Sequence, residues 1–212
     1  MLRRYLTHDT LIVRFLTLLA VVSVVFVGIW AMSYWLLPEG LLTGRTGTQA
    51  LAGTGLAGGS VWLEWMRILG LNLAVTALLL VPANLITTKR GYPFGYISVL
   101  LLVAVLAVIV GTNSFTIPMP VRMPPSIGAF GSSGVYEIMA YVLAVAATPS
   151  ISRWRIKKWW AIRGTTQRVR TSHSKTTITQ RNTGVLLAFA LLAAASALET
   201  VQIAAAVVPA RP

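Results

Sequence analysis

From Phe15 to Leu37 the chain runs 23 residues without a charge. A helix crossing a hydrocarbon core needs roughly 20 predominantly apolar residues, so a stretch of this kind points to lipid as the solvent. Four more stretches qualify: 68–87, 94–113, 133–151 and 184–208. The fourth is the least clean, because it starts Gly/Ser-rich and carries Glu137. It reads as a shorter or broken helix. The fold class expected is therefore an all-α polytopic membrane protein, a single domain over residues 1–212 with a bundle of five transmembrane helices.

Composition agrees. Charged residues are 11% of the 212 and mean hydropathy is +0.74, against roughly a quarter charged in a soluble domain. A soluble core of this size could not hide so much apolar surface. With no cysteine in the chain, disulfides, thiol catalysis and thiolate metal sites are excluded. Arg3 and Arg4 ahead of the first span raise a signal peptide as an alternative. The apolar run is too long for one, and Gly28-Ile29-Trp30-Ala31-Met32 offers no small-x-small cleavage site, so a retained anchor is expected.

Loop charge sets the expected orientation. With the N-terminus inside, Arg3, Arg4, Arg14, Lys89, Arg90 and nine residues between Arg153 and Arg181 face the cytoplasm. Only Arg45, Arg67, Arg122 and Arg211 fall outside. Fourteen of 18 basic residues on one side is a strong bias for N-in, C-out topology. Without span four the nine-residue cluster would be external, so charge supports that span better than its hydropathy does.

The loops differ in character. The outer loop 39–60 holds seven glycines and is expected to be flexible. Residues 61–67, with Trp62 and Trp65, read as an interfacial lead-in to span two. Pro118, Pro120, Pro124 and Pro125 forbid a continuous helix between spans three and four. The inner loop 152–182 has no acidic residue and interleaves Arg153, Arg155, Lys157, Lys158 and Arg163 with Trp154, Trp159 and Trp160. Its reading is an inside loop at the headgroups with an attraction to anionic lipid. Nucleic acid is not expected as a partner, because a membrane span ends just before these residues.

Two carboxylates fall within spans, and an ionised carboxylate there must be protonated, paired or wet. Around Glu137, helical spacing brings Ser133, Gly134, Ala140, Tyr141 and Ala144 onto one face, while Ile138, Val142 and Val145 lie opposite and suit lipid. Around Glu199, Ser196 and Gln202 form a polar stripe. At about 1.5 Å per residue, Asn72, Glu137 and Glu199 come to similar depth in the outer half, with Thr76 one turn below Asn72. One buried polar cluster of Asn72, Glu137 and Glu199 is expected, supported by Thr76, Ser133, Ser196 and Gln202. Asn84, two residues after Pro82, reads as a helix-end feature. There is no HExxH, GxSxG or P-loop. Neither His8 nor His173 lies in a span, which disfavours buried haem or chlorophyll ligation. No enzyme activity, cofactor or metal is expected.

The arrangement resembles the stage II sporulation protein M family of membrane proteins. Arg4-Tyr5-Leu6 before span one is similar to the family's basic lead-in. Asn72-Leu73-Ala74-Val75 is similar to its Asn-Leu-x-Val segment. Gly134-Val135-Tyr136-Glu137-Ile138-Met139-Ala140 resembles its Gly-x-x-Glu-x-x-Ala signature, and Ala194-Ala195-Ser196-Ala197-Leu198-Glu199 its Ala-rich final helix with an embedded Glu. The family's His before the signature glycine is Ser133 here. Its Asn-Gly-x-x-x-Gly segment appears as Arg90-Gly91-Tyr92-Pro93-Phe94-Gly95, without the Asn. These departures mark a divergent branch. The resemblance implies a non-enzymatic scaffold or accessory subunit of a larger complex in the cell membrane, with other integral membrane proteins as partners. Sporulation members hold peptidoglycan-degrading partners at the membrane. A permease or channel using Glu137 and Glu199 for ion or proton coupling is the rival expectation.

Overall fold

The computed structural model describes residues 2–45, 60–115, 119–126, 133–156, 166–168 and 178–207. Six helices and a three-stranded sheet make up the described chain: α1 (Leu2–Leu6), α2 (Leu11–Leu36), α3 (Val61–Ala83), β1 (Ile86–Thr87), α4 (Phe94–Gly111), α5 (Ser133–Ala147), β2 (Trp154–Ile156), β3 (Thr166–Arg168) and α6 (Ile178–Val207). Four of them, α2, α3, α4 and α6, are long and apolar enough to cross a membrane. The fifth, α5, has 15 residues, about 22 Å of helix against a hydrocarbon core of about 30 Å.

Local chemistry sets the helix ends. Pro38 stands two residues beyond the end of α2 and cannot continue it. The Ser60 hydroxyl accepts the amide of Leu63 at 3.2 Å and caps α3. That helix begins at Val61, so the stretch expected as an interfacial lead-in is already helical and Glu64 lies within it. Further along α3, Val75–Leu80 is a π-helical stretch, with the Val81 amide reaching back to the Thr76 carbonyl. Pro82 follows at once and has no N–H to donate, so the wider turn sits where regular bonding would fail. Helix α4 closes with Asn113 at φ 50°, while the amides of Asn113 and Ser114 bond back to Val110 and Ile109. This is a left-handed Schellman stop with asparagine in place of the usual glycine.

The chain divides into two compact units. Unit 1 holds residues 1–22, 74–101 and 139–190, and unit 2 the remainder. The chain passes between units five times, within α2, at the end of the α-helical part of α3, and within α4, α5 and α6.

Unit 1 is built around α5. Every residue from Ala140 to Ala147 is buried. The reading that turned Val142 and Val145 toward lipid is corrected here, since both are fully enclosed. Three elements close on the helix end. Arg14 of α2 donates from Nε to the Ala146 carbonyl at 3.0 Å, Asn84 donates to the Val145 carbonyl at 2.8 Å, and α6 packs Gly184 against Ala147. A helix apolar all round is one that other helices surround.

The sheet is an addition to the all-α expectation. β1 pairs in parallel with β2, which pairs antiparallel with β3. Part of the basic inner loop is therefore folded onto the end of α3, in unit 1 along with the amino end. Residues 46–59 of the glycine-rich outer loop lie outside the described residues, and so do Lys157, Lys158, Arg163, Trp159 and Trp160 of the basic loop.

Unit 2 has its own core. Trp30 is 1% exposed and donates from Nε1 to the Met123 carbonyl at 3.2 Å. It is a core residue, whereas Trp35 and Trp62 are exposed as expected of headgroup anchors. Gly111 meets Trp30 and Ser33 so closely that an added Cβ would come within 2.8 Å of the Trp30 carbonyl. Only glycine lets α4 approach α2 this nearly.

Candidate functional site

The acids of unit 2 form the first polar assembly. Glu64 of α3 is fully buried, and Glu137 and Glu199 are half-buried. Both Glu64 and Glu137 lie within Coulomb reach of the Glu199 carboxylate. One turn beyond this pair, the Ser133 hydroxyl donates to Gln202 Oε1 at 3.3 Å and joins α5 to α6. Trp65 donates from Nε1 to the Ala193 carbonyl at 3.2 Å and joins α3 to α6. These two bonds hold three helices so that their three glutamates converge. Thr200 bonds back to the Ser196 carbonyl at 2.8 Å, and Ser196 is fully buried.

Sequence reasoning missed Glu64. The signal was available: Glu64, Ile68 and Asn72 recur every four residues on one face of α3, which burial picks out at Glu64 and Ile68. Asn72 is half-buried two turns along that face. Thr76 follows it and is buried, within unit 1. Among the described residues no group of three or more His, Asp or Glu is arranged to hold a metal ion.

The second polar assembly belongs to unit 1 and centres on Asn84. Its amide donates to the Val145 carbonyl and to the Thr148 hydroxyl, each at 2.8 Å, and its oxygen accepts the Gly95 amide at 3.0 Å. It does more than end a helix: one fully buried side chain binds the ends of α3, α4 and α5 together. Arg14 is 2% exposed and donates to the carbonyls of Ala146, His8 and Asp9.

A third assembly, in unit 2, is built by Arg122. Its Nε donates to the Gly111 carbonyl at 2.6 Å, and one Nη donates to Ser33 and Leu37 at 2.6 and 2.9 Å. Those carbonyls lie at the carboxyl ends of α4 and α2, where backbone acceptors run out of helical donors, although Ser33 also accepts the Leu37 amide at 3.1 Å. The guanidinium also sits 4.9 Å from the centre of the Tyr34 ring. Beside it, Asn113 donates to Glu39 at 2.7 Å and to the Met119 carbonyl at 2.9 Å.

Charge divides sharply. Among the described residues, unit 1 carries nine Lys or Arg and one acid, Asp9. Unit 2 carries three arginines and four glutamates. Of the basic-loop residues expected to meet lipid, Arg153 is exposed and Arg155 half-buried.

No protein-family model, curated protein or solved structure matches this chain.

Proposed function

We propose that this protein is a five-span, N-in membrane scaffold or accessory subunit that holds other integral membrane proteins in a complex, a role similar to that of stage II sporulation protein M. The observation that carries the reading is how the buried polar side chains are used. Asn84, Arg14 and Arg122 spend their hydrogen bonds on the chain's own helix ends. A frame tied in this way keeps its outer faces fixed, which is what a docking partner needs. The segregation of basic residues into the unit holding the amino end supports the orientation. The enclosure of α5 supports a fifth crossing, because a short helix surrounded by protein need not match the bilayer.

Purification of the full chain in several mild detergents is expected to recover other integral membrane polypeptides in fixed proportion. Recovery of the lone chain under all of them would overturn the reading.

The convergence of Glu64 and Glu137 on Glu199 favours a second reading, ion or proton coupling through the acids. Proteoliposomes under an imposed pH gradient separate the two. The scaffold reading expects Glu137→Gln and wild type to leak equally slowly, with partner recovery unchanged. A wild-type proton flux that Glu137→Gln or Glu199→Gln reduces by about tenfold or more would establish the transport reading instead.

A further inference from the structure

The small sheet has two faces of different chemistry. In register across β1 and β2, Thr87 stands beside Arg155, and across β2 and β3 Arg155 stands beside Gln167. Register partners project to the same side, at strand spacings of about 5 Å, so Arg155 and Gln167 share a row with Thr87, whose hydroxyl donates to the Trp154 carbonyl at 3.2 Å and braces the sheet. The opposite row is Ile86, Trp154 and Arg168.

Arg155 is the unusual member. Its Nε is buried and has no hydrogen-bond partner among the described residues. A buried guanidinium nitrogen without an acceptor is costly, and the ordinary remedy is a carboxylate. None is at hand. The sequence from Ile138 to Leu198 contains no acid, nor does that from Trp65 to Tyr136. The one acid of unit 1, Asp9, acts on Arg14. No carboxylate of the chain supplies an acceptor there, and the half-buried side chain keeps part of its surface open to an anion from outside.

Position indicates its source. β1 begins three residues after the end of α3, within roughly 10 Å along the chain of the place where a candidate span stops. Trp154 on the other face is 43% exposed, as suits a headgroup layer. Arg153, Arg168, Lys89 and Arg90 stand exposed in the same unit.

We propose that Arg155 and Gln167, in the row beside Thr87, bind the phosphodiester of an anionic phospholipid. The planar guanidinium offers paired donors to two phosphate oxygens, the amide adds a donor, and the surrounding basic residues select a lipid of net negative charge. The site rests on the membrane reading above but not on any partner protein. Lipid retained with no co-purifying protein sinks the scaffold alone, and the reverse result sinks the site alone.

The test uses the full chain in neutral detergent, titrated with phosphatidylglycerol, phosphatidylcholine or inorganic phosphate and read by native mass spectrometry. Wild type is expected to retain phosphatidylglycerol in preference to phosphatidylcholine. Arg155→Gln should bind it roughly tenfold more weakly, while Arg45→Gln, an exposed arginine of unit 2, should change affinity less than about threefold. If Arg155→Gln fails to fold, Arg155→Lys decides, since it keeps the charge but loses the paired donors and should still weaken binding severalfold. Unchanged affinity in the Arg155 variant that folds, or equal retention of both lipids, would overturn the proposal. So would displacement of the lipid by millimolar inorganic phosphate, which would make free phosphate the ligand.

Discussion

Replacing Asn84 by alanine is expected to lower stability by about 3 kcal/mol, among the larger effects of a single substitution. Three bonds disappear together: those to Val145, to Thr148 and from Gly95. Interhelical hydrogen bonds in membrane proteins average about 0.6 kcal/mol and reach about 1.7 kcal/mol. Three of them, with a cavity left behind, account for the figure. The Gly95 amide and Val145 carbonyl would then be buried without these acceptors and donors. Unfolding followed by circular dichroism in detergent should show the midpoint falling on the order of 10 °C. Asn84→Asp discriminates further, because an ionised carboxylate can still accept from Gly95 but cannot donate to Val145. It should be at least as damaging as alanine. A midpoint within about 2 °C of wild type for Asn84→Ala would refute the role assigned to this residue.

Arg122→Ala is the second large effect, expected at about 2–4 kcal/mol. One guanidinium serves carbonyls at two helix ends, Gly111 on α4, and Ser33 on α2 with Leu37 just beyond it. Without it all three acceptors lose the guanidinium in a place half closed to water, and only Ser33 keeps a backbone donor, the Leu37 amide. Lysine retains the charge but is a compact donor on a flexible stem, so Arg122→Lys should recover less than half of the loss. Hydrogen exchange gives the local readout. Amides of the last turns of α2 and α4 should exchange faster in Arg122→Ala, while those around Asn84 in unit 1 keep their protection. Uniform loss of protection in both units would contradict this local account.

Much of the frame was legible from local chemistry. The long helices α2, α4 and α6 were announced by apolar runs, and the expected limits miss the observed ones by at most six residues. Proline at 38, 82 and 149 marks where helix ends or bonding changes. The segregation of charge was readable too, because the amino end and basic loop share one unit. Of the expected trio Asn72, Glu137 and Glu199, the two glutamates lie within Coulomb reach of each other. Glu64 was overlooked because the hydropathy of span two was counted from Ile68. A carboxylate beside two tryptophans reads as interfacial until the helix that carries it is seen to bury that face.

The limits of local reading have one physical origin. In water, a buried face betrays itself by being more apolar than an exposed face. In lipid that contrast vanishes, since acyl chains are as apolar as valine. Val142 and Val145 therefore carried no mark of whether they meet lipid or protein, and only the packing of α2, α3 and α6 around α5 decided it. The same holds for the strands of two and three residues, too short for any alternation to register, which exist because β1, just beyond α3, offers β2 a partner. The amino-acid order by itself determined which segments seek oil and which end of the chain carries the positive charge, because transfer free energy and loop charge are summed along the chain. Which helix lies at the centre, and which distant carbonyl each buried Asn or Arg reaches, depended on tertiary structure, because those bonds form between residues up to 132 positions apart.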